Sequence, residues 1–247
     1  MIKLSVNVNK VATIRNSRGG RMPSVLDAVD KCIRAGAHGI TVHPRADARH
    51  ITATDVRDIA GMLPGAGRGV EFNIEGDPRP DLLELVHEVR PDQCTLVPVQ
   101  PGEITSQAGW SAATPRDVLG KVVRDLRDAN IRVSVFVDPE AAPIRWAADL
   151  GANRIELYTE PFARAFEQGP DEARRSFDTY VRAAELAHSL GLGVNAGHDL
   201  DLDNLVMFRT LPHLDEVSIG HALISRALFV GLESSVHGFL SVLAEKA

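Results

Sequence analysis

Apolar runs of strand length alternate along this chain with stretches whose apolar residues recur at helical spacing. The pattern predicts strands at residues 4–9, 39–43, 70–75, 94–98, 133–138, 154–159, 194–197 and 217–221. Helices are expected over 24–35, 53–62, 81–89, 115–129, 140–150, 172–190 and 201–210, with a last one over 222–243. Gly36, Gly151 and Gly191 stand just past three of these helices, where glycine supplies the left-handed cap that turns the chain into the next strand. Eight β–α repeats, with no linker and no second composition regime, predict an α/β fold: one closed (β/α)8 barrel domain over residues 1–247. The length of 247 residues is close to the usual size of such a barrel. A doubly wound open sheet is the alternative. It normally needs fewer strands, and no dinucleotide-binding loop is present.

Three of the strand-like runs end in histidine: Gly39-Ile40-Thr41-Val42-His43, Val194-Asn195-Ala196-Gly197-His198 and Val217-Ser218-Ile219-Gly220-His221. A fourth, Val70-Glu71-Phe72-Asn73-Ile74-Glu75, ends in a carboxylate. In an α/β barrel the C-terminal ends of the strands share one face, and that face is the active site. Two stretches there are longer than a barrel needs and are expected to be loops, residues 9–23 and 160–170.

Composition narrows the function classes. Apolar residues make up 44% of the chain, enough for a large core. A net charge of -6 argues against a nucleic-acid partner but not against small anions, which are bound by local charge. Cys32 and Cys94 sit inside predicted elements with no metal-like spacing, as in a reduced, cytoplasmic protein. No apolar run reaches spanning length, so no membrane is expected as a partner. A strand begins as early as Lys3, so no signal peptide is expected. No H-E-x-x-H helix, cysteine cluster, nucleophile elbow or P-loop is present, and no metal is expected.

The candidate chemistry lies at the strand ends. Asn7, Asn9 and Lys10 close the first strand, with Arg15 and Arg18 beyond. This cationic segment suits an anionic substrate, or is a solvated surface loop. His43, Arg45, Arg49 and His50 cluster after the second strand. Imidazole exchanges protons near neutrality, and guanidinium matches phosphate geometry. Glu75 is either salt-bridged or a base whose proton affinity is raised by desolvation. Glu156 points into the barrel mouth or is a structural charge partner. Gly197-His198 and Gly220-His221 follow strands seven and eight, where barrels commonly hold phosphate on backbone N–H groups. His38, His87, His188, His213 and His237 fall on helices or their flanks and are read as surface or packing residues.

These segments, with Leu96-Val97-Pro98 and Glu103-Ile104-Thr105-Ser106, resemble the pyridoxine 5′-phosphate synthase family of vitamin B6 biosynthesis over nearly the whole chain. The resemblance implies a (β/α)8 barrel with extra helices, assembled as a homo-octamer. It implies condensation of 3-amino-2-oxopropyl phosphate with 1-deoxy-D-xylulose 5-phosphate to pyridoxine 5′-phosphate, phosphate and water, with no metal or organic cofactor. By position, His43 and Glu75 correspond to proton acceptors and His198 to a proton donor. Asn7, Arg18, Asp199, Gly220 and His221 fall where the aminoketone phosphate is held. Asn9, Lys10, Arg45, His50 and Thr105 fall where the deoxyxylulose phosphate is held, and Glu156 matches a further acid at the mouth. Many members carry Asp-His where this chain has Asn9-Lys10, and Gly where it has Asp199, so this chain is similar to a branch with Asn-Lys after strand one. At position 199 the carboxylate is expected to cap a helix beginning near Asp201. Another phosphate-handling barrel, such as a sugar-phosphate isomerase or lyase, would need only one anion site. A catalytically dead phosphometabolite sensor would have lost the acid–base set, yet His43, Glu75 and His198 all persist.

Overall fold

Eight short parallel strands close on themselves, each hydrogen-bonded to the next and β8 to β1. They are β1 (Lys3–Asn7), β2 (Gly39–Val42), β3 (Glu71–Gly76), β4 (Gln93–Leu96), β5 (Arg132–Val137), β6 (Arg154–Tyr158), β7 (Gly193–Gly197) and β8 (Leu214–Ile219). The computed structural model describes residues 1–66, 69–99 and 106–245. Helices follow the strands: α1 (Asn9–Asn16), α2 (Val25–Arg34), α3 (Ala53–Met62), α4 (Pro80–Val89), α5 (Arg116–Asp128), α6 (Ala141–Asp149), α7 (Glu160–Glu167), α8 (Pro170–Ser189), α9 (Leu205–Phe208), α10 (His221–Val230) and α11 (Leu232–Ala244). The expected (β/α)8 barrel is therefore present. Among the described residues, no helix is long and apolar enough to cross a membrane.

Each strand alternates. Leu4 and Val6, Ile40 and Val42, Phe72 and Ile74, Val133 and Val135, Ile155 and Leu157, and Val217 and Ile219 face outward into one continuous core shared with the helices. The intervening Ser5, Thr41, Asn73, Thr95, Glu156, Asn195 and Glu216 are equally buried but polar, and they fill the barrel interior. Their hydrogen bonds form a belt. Ser5 Oγ and Thr41 Oγ1 lie 2.7 Å apart, Asn73 Nδ2 donates to Thr41 Oγ1 at 3.3 Å, and Thr95 Oγ1 donates to Asn73 Oδ1 at 3.0 Å. Beneath it an ionic plug closes the floor: Lys3 and Arg132 both bind the Glu71 carboxylate, and Arg132 Nε also donates to Gln93 Oε1 at 2.8 Å.

Four sequence expectations are corrected. Residues 9–23 are not wholly a loop, because 9–16 form α1, and residues 160–170 are mostly helix, as α7. The helix expected over 201–210 shrinks to α9, and the one over 222–243 breaks in two at Gly231, whose φ of 83° no right-handed helix accommodates. A polar helix such as α1 shows little apolar periodicity, burying only Val11 and Ala12, so pattern alone misses it.

α1 is fixed by polar contacts. Arg15 binds the Asp55 carboxylate with both terminal nitrogens, at 2.5 and 2.9 Å. Asn16 Nδ2 donates to the His50 carbonyl at 2.8 Å. Asp55 also closes a capping box with Thr52 at the start of α3. One carboxylate thus ties α1, the segment carrying His50 and α3 together. Asp55→Ala is expected to lower stability by roughly 2–4 kcal/mol, from the lost cap and the lost charge-assisted bonds. Urea unfolding checks this. Because Arg15 holds the Asp55 pKa below its usual value, that contribution is present above the unfolded carboxyl pKa and fades as the pH falls below it.

Candidate active site

The inward positions at the upper end of the barrel carry the acids and bases. Asn7 ends β1, His43 follows β2, Glu75 lies on β3, Glu156 on β6, and His198 follows β7. Asn7 is linked both to β3 and to α1: its Nδ2 donates to Glu75 Oε2 at 3.4 Å, and its Oδ1 accepts the Asn9 N–H at 3.0 Å. Asn9 Oδ1 in turn accepts the His43 N–H at 2.9 Å. An asparagine serves here because it accepts from one backbone group while starting a helix.

His43 Nδ1 stands 3.9 Å from Glu75 Oε2, both side chains being nearly inaccessible. The pair is a neutral imidazole beside a carboxylic acid rather than an ion pair. Burial, reinforced by the charges of His50 and Arg45, pushes the His43 pKa down to about 3. Burial, reinforced by Glu216, pushes Glu75 up to about 8. His43 Nε2 is buried without a hydrogen-bond partner among the described residues. The His50 ring lies 6.2 Å from that of His43, edge on. His50 Nδ1 accepts the Ile51 N–H at 3.0 Å, which leaves the proton of the neutral ring on Nε2. Burial and then Arg45 bring its pKa down to about 4. Lys10 is exposed on α1 but close enough for its charge to add to that effect. Arg45 is buried, with Nε 4.0 Å from Asp47 Oδ2.

On the opposite wall, His198 sits in a turn of unusual backbone, with φ of 82° there and 57° at Asp199. Non-glycine residues in this region cost about 1–3 kcal/mol and are held there by their surroundings. Thr159 does the holding: its hydroxyl donates to the carbonyl of Gly197 at 2.7 Å and to that of His198. The imidazole packs on Phe136 at 5.0 Å and edge-on to Tyr158 at 5.3 Å. Burial lowers its pKa as well. Gly197 leaves room for the Glu156 carboxyl as it stands, since a Cβ there would lie 2.5 Å from Glu156 Oε1 and displace it. Its pKa is raised by burial, then by Glu75 and Glu216.

Beside this wall opens a cleft of about 740 Å³ whose lining includes Glu160, Arg164, Asp199, Asp201, Asn204 and His221. Gly220 and His221 begin α10, and no side chain caps that helix. Gly220 allows a close approach, because a Cβ would lie 3.0 Å from Asn7 Cβ and 3.1 Å from Asn7 O and would push Asn7 back by a few tenths of an ångström. The Asp199 carboxylate does not cap the next helix, contrary to expectation. Asp201 Oδ1 closes the turn before α9 instead, accepting the N–H groups of Asp203 and Asn204 at 2.9 and 2.8 Å, while Asn204 Nδ2 donates to the Asp199 carbonyl at 3.0 Å and α9 starts with no side-chain cap. Asp201 prevails because it precedes the N–H groups by the two and three residues a side-chain turn spans.

The barrel mouth thus gathers Asn7, Asn9, His43, Arg45, His50, Glu75, Glu156 and His198, with Lys10 at its edge, Gly220 against Asn7, and Asp199 and His221 lining the adjoining cleft. Arg18 is exposed beyond α1, and no side-chain contact ties it to the others among the described residues. Thr105 lies outside the described residues. Sequence reasoning missed Asp55, which Arg15 serves in place of a substrate, and Phe136, Tyr158, Thr159 and Glu216. For Glu216 the signal was available: it alternates with Val217 as Glu156 does with Leu157.

A closed (β/α)8 barrel with buried acids and bases at its C-terminal mouth is the architecture of a barrel enzyme. The family model described as Pyridoxal phosphate biosynthesis protein PdxJ matches residues 4–245. Pyridoxine 5′-phosphate synthase of Porphyromonas gingivalis is 50% identical over 245 residues, covering 99% of this chain and 100% of that protein. That of Bacteroides fragilis is 51% identical over 244 residues, covering 98% and 100%. The chain belongs to this family, the ring-closing pyridoxine 5′-phosphate synthases of vitamin B6 biosynthesis. Two solved structures share the fold alone. Tryptophan synthase from Mycobacterium tuberculosis has a TM-score of 0.67 at 11% identity, covering 99% of this chain and 93% of that one. KGPDC from Streptococcus mutans has 0.64 at 10%, covering 98% and 97%.

The buried acid has a thermodynamic signature. The folded pKa of Glu75, about 8, exceeds its ordinary value of 4.5. Its contribution to stability is therefore complete below the unfolded pKa and is lost as the pH rises through about 8. Glu75→Gln removes this slope. The thermal midpoint of the variant, relative to the parent, is expected to rise between pH 5 and pH 8.5. Scanning calorimetry at both pH values checks it, and a constant difference would mean that Glu75 is not held protonated.

Proposed function

We propose that the mouth joins 3-amino-2-oxopropyl phosphate to 1-deoxy-D-xylulose 5-phosphate, with His43 and Glu75 accepting protons and His198 donating one. The neutral imidazole 3.9 Å from a protonated carboxyl carries this reading. Imine formation between amine and ketone, dehydration, loss of phosphate and ring closure call for repeated proton transfers. The sum balances without a redox step, and the reading requires no metal or organic cofactor. His43 begins as a ready base. Once protonated, it favours ionisation of Glu75 beside it, so the second base is armed by the first. Well-placed acids and bases contribute roughly 10²- to 10⁴-fold each.

Two phosphates need two anion sites. Arg45, His50 and Lys10, with Asn9 behind them and Thr105, are proposed to hold the ketose phosphate. The uncapped start of α10 at Gly220-His221, with Asn7, Arg18 and a backbone N–H at Asp199, is proposed for the aminoketone phosphate. Helix N-termini favour anions through free N–H groups and the helix dipole. Glu156 is the further acid of the mouth. Lys10 acts as a cation, not as an imine-forming amine, because the substrate brings its own.

Incubation with both phosphates is expected to yield pyridoxine 5′-phosphate, detected by mass. His43→Ala and Glu75→Gln should each lose most turnover while folding normally, and turnover within about threefold of the parent would remove that residue from the mechanism. Arg45→Ala should raise KM for the ketose phosphate more than for the aminoketone phosphate, by about tenfold or more for a lost charge-assisted contact. Equal effects on both would refute its assignment to one phosphate.

We further propose a cytoplasmic homo-octamer. The exposed run Leu228, Phe229 and Val230 at the end of α10, with Phe229 88% accessible, supports assembly. Light scattering is expected to give eight times the 26.7 kDa chain mass, and a monomeric mass would contradict it.

A further inference from the structure

Three strands send carboxyls into the same closed interior: Glu75 from β3, Glu156 from β6 and Glu216 from β8. All three are buried, Glu216 to 3% accessibility. Glu156, Asn195 and Glu216 are successive partners on one rung of the sheet, and Lys3 is the next. Asn195 bridges them: its Nδ2 donates to Glu216 Oε1 at 3.4 Å, while its Oδ1 accepts from Arg154 Nη1 at 2.8 Å. Glu75 stands on the far wall and reaches over β2 to Asn7 of β1, the strand that closes against β8. The interior of an eight-stranded barrel is only wide enough for side chains to fill, so groups on opposite walls share one space.

The charges in that space are unevenly arranged. At the floor stand Lys3 on β1, Glu71 on β3, Arg132 on β5 and Arg154 on β6, with Lys3 and Arg132 both engaged by Glu71. At the mouth stand His43 and Arg45 after β2 and His198 after β7, while the Cys94 thiol of β4 faces outward into the core. Glu216 stands just above the floor, paired in register with Lys3, and the charged groups that act on it are Glu71, Arg154, Arg132 and Lys3.

We propose that Glu216 is a positioning residue for the proton transfers of Glu75, acting through its charge from below it in the shared interior; this rests on the reading of Glu75 as a base. A carboxylate in a low-dielectric interior makes every nearby carboxyl hold its proton more tightly. Burial and Glu71 raise the Glu216 pKa to about 7, against the opposing pull of Arg154, Arg132 and Lys3. Its charge therefore switches within the working range, and the three carboxyls titrate as a set. An ionised Glu216 adds to burial in making Glu75 hold its proton, and a protonated Glu216 removes that addition.

The test reads Glu75 directly. The full-length protein is labelled with 13C at the glutamate carboxyls, the Glu75 signal being the one lost in Glu75→Gln. In Glu216→Gln its titration midpoint is expected to fall by about one pH unit, a tenfold stronger acid, and the acid limb of kcat/KM should move down with it. Glu216→Asp keeps the charge and should return both toward the parent. Glu216→Met supplies a second uncharged variant, with the same expected shift, should the amide not fold. A Glu75 midpoint unchanged in a folded, uncharged variant overturns the proposal, even if turnover falls, because a purely structural role would lower kcat without moving the titration. A moved midpoint with an unmoved acid limb supports the coupling and instead overturns Glu75 as the base.

Discussion

Closing a parallel sheet into a barrel leaves each strand residue two directions, outward into the helical layer or inward to a space only side chains can fill. In this chain the two directions differ in chemistry on every strand. Val6, Ile40, Ile74 and Val217 face out and build the core that holds helices to sheet. Ser5, Thr41, Asn73 and Glu216 face in. Barrel interiors are more often stacked with branched apolar residues. Here the interior is a hydrogen-bonded belt over an ionic plug, and buried acids and bases stand at and within its upper part.

Much of the site's chemistry follows from that arrangement. Burial without matched counter-charges drives groups toward their neutral forms, so His43 and His50 lose affinity for protons while Glu75 gains it. Charged groups at the floor are matched, as Lys3 and Arg132 are with Glu71. At the mouth Glu75 and Glu156 are instead raised by burial and by other acids, and groups with displaced pKa values are the ones equipped to exchange protons near neutrality. Precision is supplied locally. Thr159 holds the strained turn of His198, Asn7 and Asn9 link β1, α1, β2 and β3, and Gly220 lets α10 start against Asn7.

The barrel and most of its mouth were legible because both rest on short-range pattern. Strand-ending residues such as His43 and Glu75 announce themselves when the strand before them is recognisable, and glycines such as Gly151 mark where helices end. α1 was not legible, because its order comes from Arg15 and Asn16 meeting Asp55 and the His50 carbonyl, contacts made across 34 residues or more. The Asp199 cap was misjudged for the opposite reason: two aspartates stand close together before α9, and the two residues of spacing between them decide which one closes the turn there. Glu216 was legible and passed over. A polar residue at alternate positions in eight consecutive buried strands means a polar interior, but the pattern is visible only when all strands are aligned by register rather than read one at a time.

The central physical claim is that the folded barrel keeps carboxyl protons that an unfolded chain would release. Infrared spectroscopy observes this directly, since a protonated carboxyl absorbs in a region free of carboxylate and amide bands. At pH 7 the folded protein should show that band. It should weaken in Glu75→Gln, Glu156→Gln and Glu216→Gln, and vanish when the parent is unfolded in urea at the same pH. A folded parent with no such band would contradict the account, because its interior acids would then be ordinary carboxylates.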